Sequence, residues 1–289
     1  MDRAEQIFKK LDQIRDLPTL PAVISKLGTA IRDPNADAAR IAKIIEDDPA
    51  MMARILKVVN SVLYKAAEPI NSLQMAVARM GLTAVHNIAM STSVFSTFGK
   101  KDKPFSPEEF WQHSISTGIA TGVLYSHTRE TLTRRYGLDV LHLSGLLHDI
   151  GKIILAQYYH EEFVAAISMA KEKEMPLVDA ESEVIGIDHA EIGAWLGLKW
   201  NLSAEFLQAV RWHHDPESAD VEHQELVMLC HTGNYICNLE KIGYSGDAVA
   251  PAYHQKVWRA LGLTVKDISN VVDLVLEESK QSEIWMSFI

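Results

Sequence analysis

His148-Asp149-Ile150-Gly151-Lys152 sets an imidazole, a carboxylate and an ammonium close together in an otherwise apolar run that includes Val140, Leu141, Leu143, Leu146, Leu147, Ile153, Ile154 and Leu155. Such a run reads as one buried helix, over 138–158. Charges inside a buried helix are costly unless they are paired or bound to metal. Two readings fit the adjacent His148 and Asp149. As metal ligands, neutral imidazole and carboxylate both suit divalent first-row ions, and neighbouring side chains reach one ion from a single turn. As a buried ion pair, His148 and Asp149 satisfy each other while Lys152 reaches solvent.

The elements that must position this stretch read as helices throughout. Alternating runs bounded by hairpin turns do not occur, whereas helical periodicity recurs from end to end, so the expected class is all-α with about a dozen helices. An amphipathic helix is expected over 3–15, broken by Leu17-Pro18-Thr19-Leu20-Pro21. Pro21 opens a helix carrying Ile24, Leu27 and Ile31, and a third follows near 37–46. Asp48 caps a fourth with Pro49 in its first turn. Asn71 is the expected cap of a fifth, with Gln74 in capping-box position and Gly81 as its stop, and a sixth covers 82–97. The polar, Pro-terminated stretch 100–104 marks a boundary between an N-terminal helical subdomain (1–99) and a larger one (104–289).

Beyond it, Ser106-Pro107-Glu108-Glu109 starts a helix to about Glu130. After the central helix, others are expected near 160–173 and 177–185, from Asp188-His189-Ala190-Glu191 to Gly197, from Ser203 to His214, and near 223–240, 251–261 and 265–280.

The chain has 289 residues and a net charge of −10, enough for a substantial core. The acidic balance argues against a sequence-independent grip on nucleic acid or an anionic membrane surface, which needs clustered Lys and Arg. The first ten residues mix charges and lack the apolar stretch of a signal peptide, and no window reaches the length of a membrane span. Cys230 and Cys237 lie two helical turns apart, roughly 10 Å, too far for a disulfide. The expectation is a cytoplasmic protein with reduced thiols.

Of twelve histidines, His86, His127, His142, His160, His223 and His254 show no partner pattern. His113, His148, His189, His213 and His214 fall where helices start, end or cross the central run. This order resembles the HD superfamily of metal-dependent phosphohydrolases: His113, then His148-Asp149-Ile150-Gly151-Lys152, then His189-Ala190-Glu191-Ile192-Gly193, then His213-His214. The N-terminal part is similar to a narrower group, the HDOD family of bacterial signalling modules. It carries Leu17-Pro18-Thr19-Leu20-Pro21, then Asp48-Pro49-Ala50-Met51-Met52-Ala53-Arg54-Ile55-Leu56-Lys57-Val58-Val59-Asn60-Ser61, then the stretch from Ile70 to Gly81. The resemblance covers about 12–215.

The resemblance implies an HD-like helical bundle and a ligand set of Glu109, His113, His148, Asp149, His189, His213 and His214. Asp149 and Lys152 would be the catalytic pair, Lys152 as a phosphate-facing cation. One to three divalent ions would fit, with iron, manganese, nickel and zinc all compatible with His and carboxylate donors. No organic cofactor is implied. Each residue also has a plainer role: Glu109 in a capping box, His189 at a helix start, His213 and His214 as cations at a helix C-terminus.

Two departures bear on catalysis. Asn234 stands where the superfamily has a late ligand Asp, and a neutral amide is a weaker ligand and no base; His231, one turn earlier, is a conceivable substitute. No Gly-Tyr-Pro follows His213-His214-Asp215-Pro216, which argues against cyclic di-GMP hydrolysis. Two hypotheses stand. One is a signalling module that holds a metal and engages protein partners. The other is a phosphohydrolase acting on a nucleotide or cyclic dinucleotide.

Overall fold

The structure, a computed structural model, describes residues 3–14, 21–31, 33, 37–61, 64, 68–97, 104–251 and 254–280. The expected break at 17–20 and most of the expected boundary at 100–104 lie outside the described residues. Within them the fold is all-helical, with no strand. The first six helices are α1 (Arg3–Asp12), α2 (Ala22–Ile31), α3 (Ala38–Glu46), α4 (Pro49–Val59), α5 (Leu73–Met80) and α6 (Leu82–Thr97). Then come α7 (Pro107–Thr128), α8 (Leu138–Leu147), α9 (Ile150–Tyr158), α10 (His160–Lys173) and α11 (Leu177–Val184). The last are α12 (His189–Lys199), α13 (Ala204–Trp212), α14 (Gln224–Leu239), α15 (Gln255–Ala260) and α16 (Val265–Ser279).

Local chemistry fixes several of these ends. Asp48 accepts the Met51 N–H at 3.0 Å with Pro49 in the first turn, and Asp188 accepts the Glu191 N–H at 2.7 Å, which satisfies donors a helix start leaves open. The α5 start differs from expectation by one residue. Ser72, not Asn71, is the cap, its hydroxyl accepting the Met75 N–H at 3.1 Å. Gln74 turns to the Glu46 carboxylate at 3.4 Å instead of closing a capping box. Either side chain can cap, and the extended Ser72 backbone (φ −146°, ψ 156°) selects the later start. Gly81, at φ 87°, ends α5 as expected.

One large apolar core draws on every helix from α1 to α13, from Ile7 to Val210. A smaller one joins α7, α8, α13 and α14 to α15 and α16. Each fully buried Leu, Ile or Phe contributes roughly 1.5–3 kcal/mol. At the centre lies α7, buried on nearly all sides over its length. Its sequence permits this because small residues dominate and several hydroxyls bond back along the helix, as Thr121 does to the Thr117 carbonyl at 2.7 Å and Thr128 to Leu124 at 2.8 Å.

Two close backbone crossings lock the helices that carry the histidines. A Cβ on Gly145 of α8 would sit 2.4 Å from the Gly118 nitrogen of α7. A Cβ on Gly151 of α9 would sit 1.9 Å from the His189 carbonyl oxygen and 2.7 Å from the Gly193 nitrogen of α12. Only glycine permits either approach.

The single helix expected over 138–158 is in fact two. It breaks at His148-Asp149, where Asp149 (φ −97°, ψ 9°) leaves helical geometry. Hydrophobic periodicity could not show this, because both halves are apolar. The break redirects the chain at the pair that carries the chemistry.

A candidate metal centre built on Asp149

Four helix ends meet at one carboxylate. His148 and Asp149 lie between α8 and α9, His189 opens α12, and His213 and His214 follow α13. His148, Asp149, Lys152, His189 and His213 are all fully buried, and His214 is half-buried. Asp149 faces two ways. Its Oδ1 lies 3.2 Å from His189 Nε2 and 3.6 Å from His213 Nε2. Its Oδ2 lies 3.4 Å from His148 Nε2 and 3.9 Å from His113 Nε2. Two groups able to hold an ion therefore share this residue: Asp149, His189, His213 and His214 on one side, His113, His148 and Asp149 on the other.

The far edges of three rings decide what the near edges offer. His148 Nδ1 lies 2.6 Å from the Gly145 carbonyl oxygen, His213 Nδ1 2.8 Å from the Val210 carbonyl, and His189 Nδ1 2.6 Å from Glu181 Oε2. Each partner only accepts, so each Nδ1 carries the proton, and in the neutral ring Nε2 is a lone pair. Those Nε2 atoms converge on Asp149. His189 Nε2 is also 3.4 Å from His213 Nε2 and 3.0 Å from His214 Nε2. His148 Nε2 and Asp149 Oδ1 are buried with no hydrogen-bond partner. Lone pairs and carboxylate oxygens packed together this way fit a divalent cation, and the outer partners are those that orient metal-binding imidazoles.

Electrostatics agree. Burial pushes His148 and His214 well below the usual histidine range, keeping them neutral. Burial opposes charge on Asp149 too, yet its neighbours, the Lys152 ammonium among them, hold it well below the usual carboxylate range. His189 is the exception: burial disfavours its charge, but the Glu181 carboxylate more than compensates and its pKa rises to about 10, so an ion held there would displace the Nε2 proton.

The other expected site residues divide. His113 is buried, but its Nε2 faces Asn234 Oδ1 at 3.0 Å. That oxygen also accepts from the Asn238 amide at 2.6 Å, so its identity as the acceptor is fixed and His113 Nε2 carries a proton. Asn234 thus sits where the missing Asp was expected and occupies His113 instead. Glu109 is not brought to the cluster. It is exposed in the first turn of α7, where its N–H is capped by Ser106 at 3.3 Å and its carbonyl accepts the Tyr244 N–H at 3.1 Å. Neighbouring Glu108, not Glu109, takes the Ser106 hydroxyl, at 2.8 Å. His231 points elsewhere, its Nδ1 2.7 Å from the His213 carbonyl. Lys152 does not reach solvent. It meets Asp149 Oδ2 at 2.8 Å, Ser245 Oγ at 3.2 Å and the Asp247 carboxylate.

Sequence reasoning missed Glu181, Ser245 and Asp247. Glu181 carried one signal, an acidic residue on the apolar face of α11 among Leu177, Ala180 and Val184. The other two lie in a loop with no pattern. Cys230 and Cys237 are free and buried. No helix among the described residues is long and apolar enough to cross a membrane.

The HDOD-domain family model matches residues 17–216. A protein of Treponema pallidum (strain Nichols), itself uncharacterised, is 26% identical over 217 residues, which is 75% of this chain and 41% of that protein. The chain therefore spans less than half the length of that curated relative. Among solved structures, an HDOD-domain protein of unknown function from Geobacter sulfurreducens superposes with a TM-score of 0.73 at 22% identity, over 99% of this chain and 97% of that one. A Marinobacter aquaeolei VT8 protein, named as a proposed signal transduction protein, gives 0.75 at 22% identity over 99% of this chain and 65% of its own. A Shewanella amazonensis SB2B protein, named as a proposed metal-dependent phosphohydrolase, gives 0.65 at 20% over 99% of each chain. At such identities the structural likeness establishes the all-helical fold. The family match extends over most of the chain and takes in Asp149 and all of its histidine neighbours: the chain belongs to the HDOD-domain family.

Proposed function

We propose that this chain is a signalling module that holds a divalent transition metal at Asp149, His189, His213 and His214 and engages protein partners through its helical surface. The observation that carries the metal reading is the convergence of the His189, His213 and His214 rings on Asp149, with the Nδ1 protons of His189 and His213 committed to Glu181 and Val210. Charge supports it: the enclosed carboxylates of Asp149, Glu181 and Asp247 outnumber the Lys152 ammonium, and a dication restores the balance when the histidines are neutral.

Enclosure supports binding over turnover. Asp149, His189 and His213 are closed to solvent, Lys152 is surrounded by protein acceptors, and Asn234 ties up His113.

A second reading, a phosphohydrolase, is favoured by the second ligand group of His113 and His148 on the same carboxylate. A bound ion would supply Lewis acidity toward a phosphoryl oxygen or water. In that reading Lys152 would hold a phosphate oxygen.

The test is elemental analysis of protein purified without chelator or metal-affinity resin, beside Asp149→Asn. At least one transition-metal equivalent per chain is expected, and its loss in the variant. No retained metal after incubation with iron, manganese or zinc would overturn the metal reading. Metal-dependent cleavage of a generic phosphodiester by the unaltered chain would move the assignment to the enzyme.

A further inference from the structure

The loop between α14 and α15 carries the feature the proposed function leaves unused. An ammonium has three N–H donors. Those of Lys152 are spent on Asp149 Oδ2, Ser245 Oγ and Asp247 Oδ2. Ser245 Oγ in turn donates to Asp247 Oδ2 at 3.0 Å. No donor remains for an external anion, although Lys152 lies directly against the carboxylate on which the histidines converge.

The three acceptors differ in how they are held. Asp149 is fixed by the α8–α9 break and the crossing with α12. Asp247 arrives on a loop that reaches Lys152 through left-handed backbone at Lys241 (φ 54°), Gly243 (φ 66°) and Gly246 (φ 99°). The loop is tied to α7 by the Tyr244 N–H to the Glu109 carbonyl at 3.1 Å. At Gly243 it presses on α7 so closely that a Cβ would lie 2.3 Å from the Glu109 oxygen and 2.4 Å from the His113 nitrogen. The chain returns toward solvent just past Asp247, where Ala248 is exposed.

We propose that Asp247 is a tethered anion that closes the centre, occupying on Lys152 the position of an oxyanionic ligand such as a phosphoryl group. Such a ligand brings a negatively charged oxygen acceptor to the same ammonium. It enters when the loop carrying Ser245 and Asp247 swings outward and releases the Asp247 carboxylate to water. Loop opening is then the step that couples ligand binding at the centre to the surface of α7. This rests on the proposed metal-binding module for its setting, though the Lys152 contacts stand without a metal.

The experiment is calorimetric titration of the full chain with inorganic phosphate, for the unaltered protein and for Asp247→Ala, with metal content measured on the same samples. The expected result is at least about ten-fold tighter phosphate binding in the variant. Gly243→Ala provides a second route, because it forces the loop off α7 while leaving the Asp247 carboxylate intact, and it should raise phosphate affinity in the same direction. Equal affinity in all three proteins, or no phosphate binding by either variant while each remains folded by circular dichroism, overturns the proposal. Tighter binding in samples that retain no metal even after incubation with iron, manganese or zinc would uphold the closing role of Asp247 while overturning the metal-centre reading, so the two fail separately.

Discussion

Glu181 Oε2 receives both the Nδ1–H and the backbone N–H of His189, at 2.6 and 2.9 Å, with both residues fully buried. One carboxylate thereby fixes the ring's tautomer and the position of the α12 start. Its other oxygen has no hydrogen-bond partner, so its role is directed at His189.

Glu181→Gln keeps the shape and removes the charge. The His189 ring becomes less basic and less firmly oriented, and metal affinity should fall about 10- to 100-fold. Competition against a chelator of known affinity measures this. Unchanged affinity would mean that His189 is not a ligand.

Gly145→Ala tests whether the α7–α8 crossing sets the centre. The added methyl meets the Gly118 backbone at 2.4–2.5 Å, and backbone cannot move aside as a flexible side chain would. Stability should drop by about 3 kcal/mol, read from urea unfolding, and metal retention should fall because His148 follows the same turn. Wild-type stability would show that the crossing is looser than described.

Asn234→Asp addresses the second ligand group. With a carboxylate beside His113 Nε2 in place of the amide oxygen now 3.0 Å away, His113, His148 and Asp149 gain a fourth donor. Metal content should rise by about one equivalent per chain. An unchanged count would show that the Asp149 Oδ2 side does not hold an ion.

Acid sensitivity should trace partly to His142, which is buried outside the metal cluster. Burial pushes its pKa down to about 4, below the unfolded value of about 6.5. Between those values the unfolded chain binds a proton that the folded chain refuses. Stability contributed here is therefore present above about pH 6.5 and is lost as pH falls toward about 4, by up to about 1.4 kcal/mol per pH unit. Urea midpoints followed from neutral pH to about 4.5 should fall less steeply in His142→Gln than in the unaltered chain. Equal slopes would assign the acid sensitivity to other groups.

By itself the sequence determined what short-range physics controls. Helix starts at Asp48-Pro49, Ser106-Pro107 and Asp188 follow from side chains reaching donors three residues away, and periodic apolar residues determine that these helices bury a face. The adjacency of His148 and Asp149, and their cost inside an apolar run, was equally local. The tertiary structure decided the rest, because partners far apart in the chain meet only through packing. Asp247 reaches Lys152 across 95 positions, and Asn234 reaches His113 across 121. The break at His148-Asp149 belongs to the same class. Two apolar helices read as one until the Gly145–Gly118 and Gly151–His189 crossings require them to diverge. Glu109, a ligand only by the family resemblance, lies one turn before His113 yet is exposed while His113 is buried: two side chains on one helix face still diverge when only one of them lies under the core.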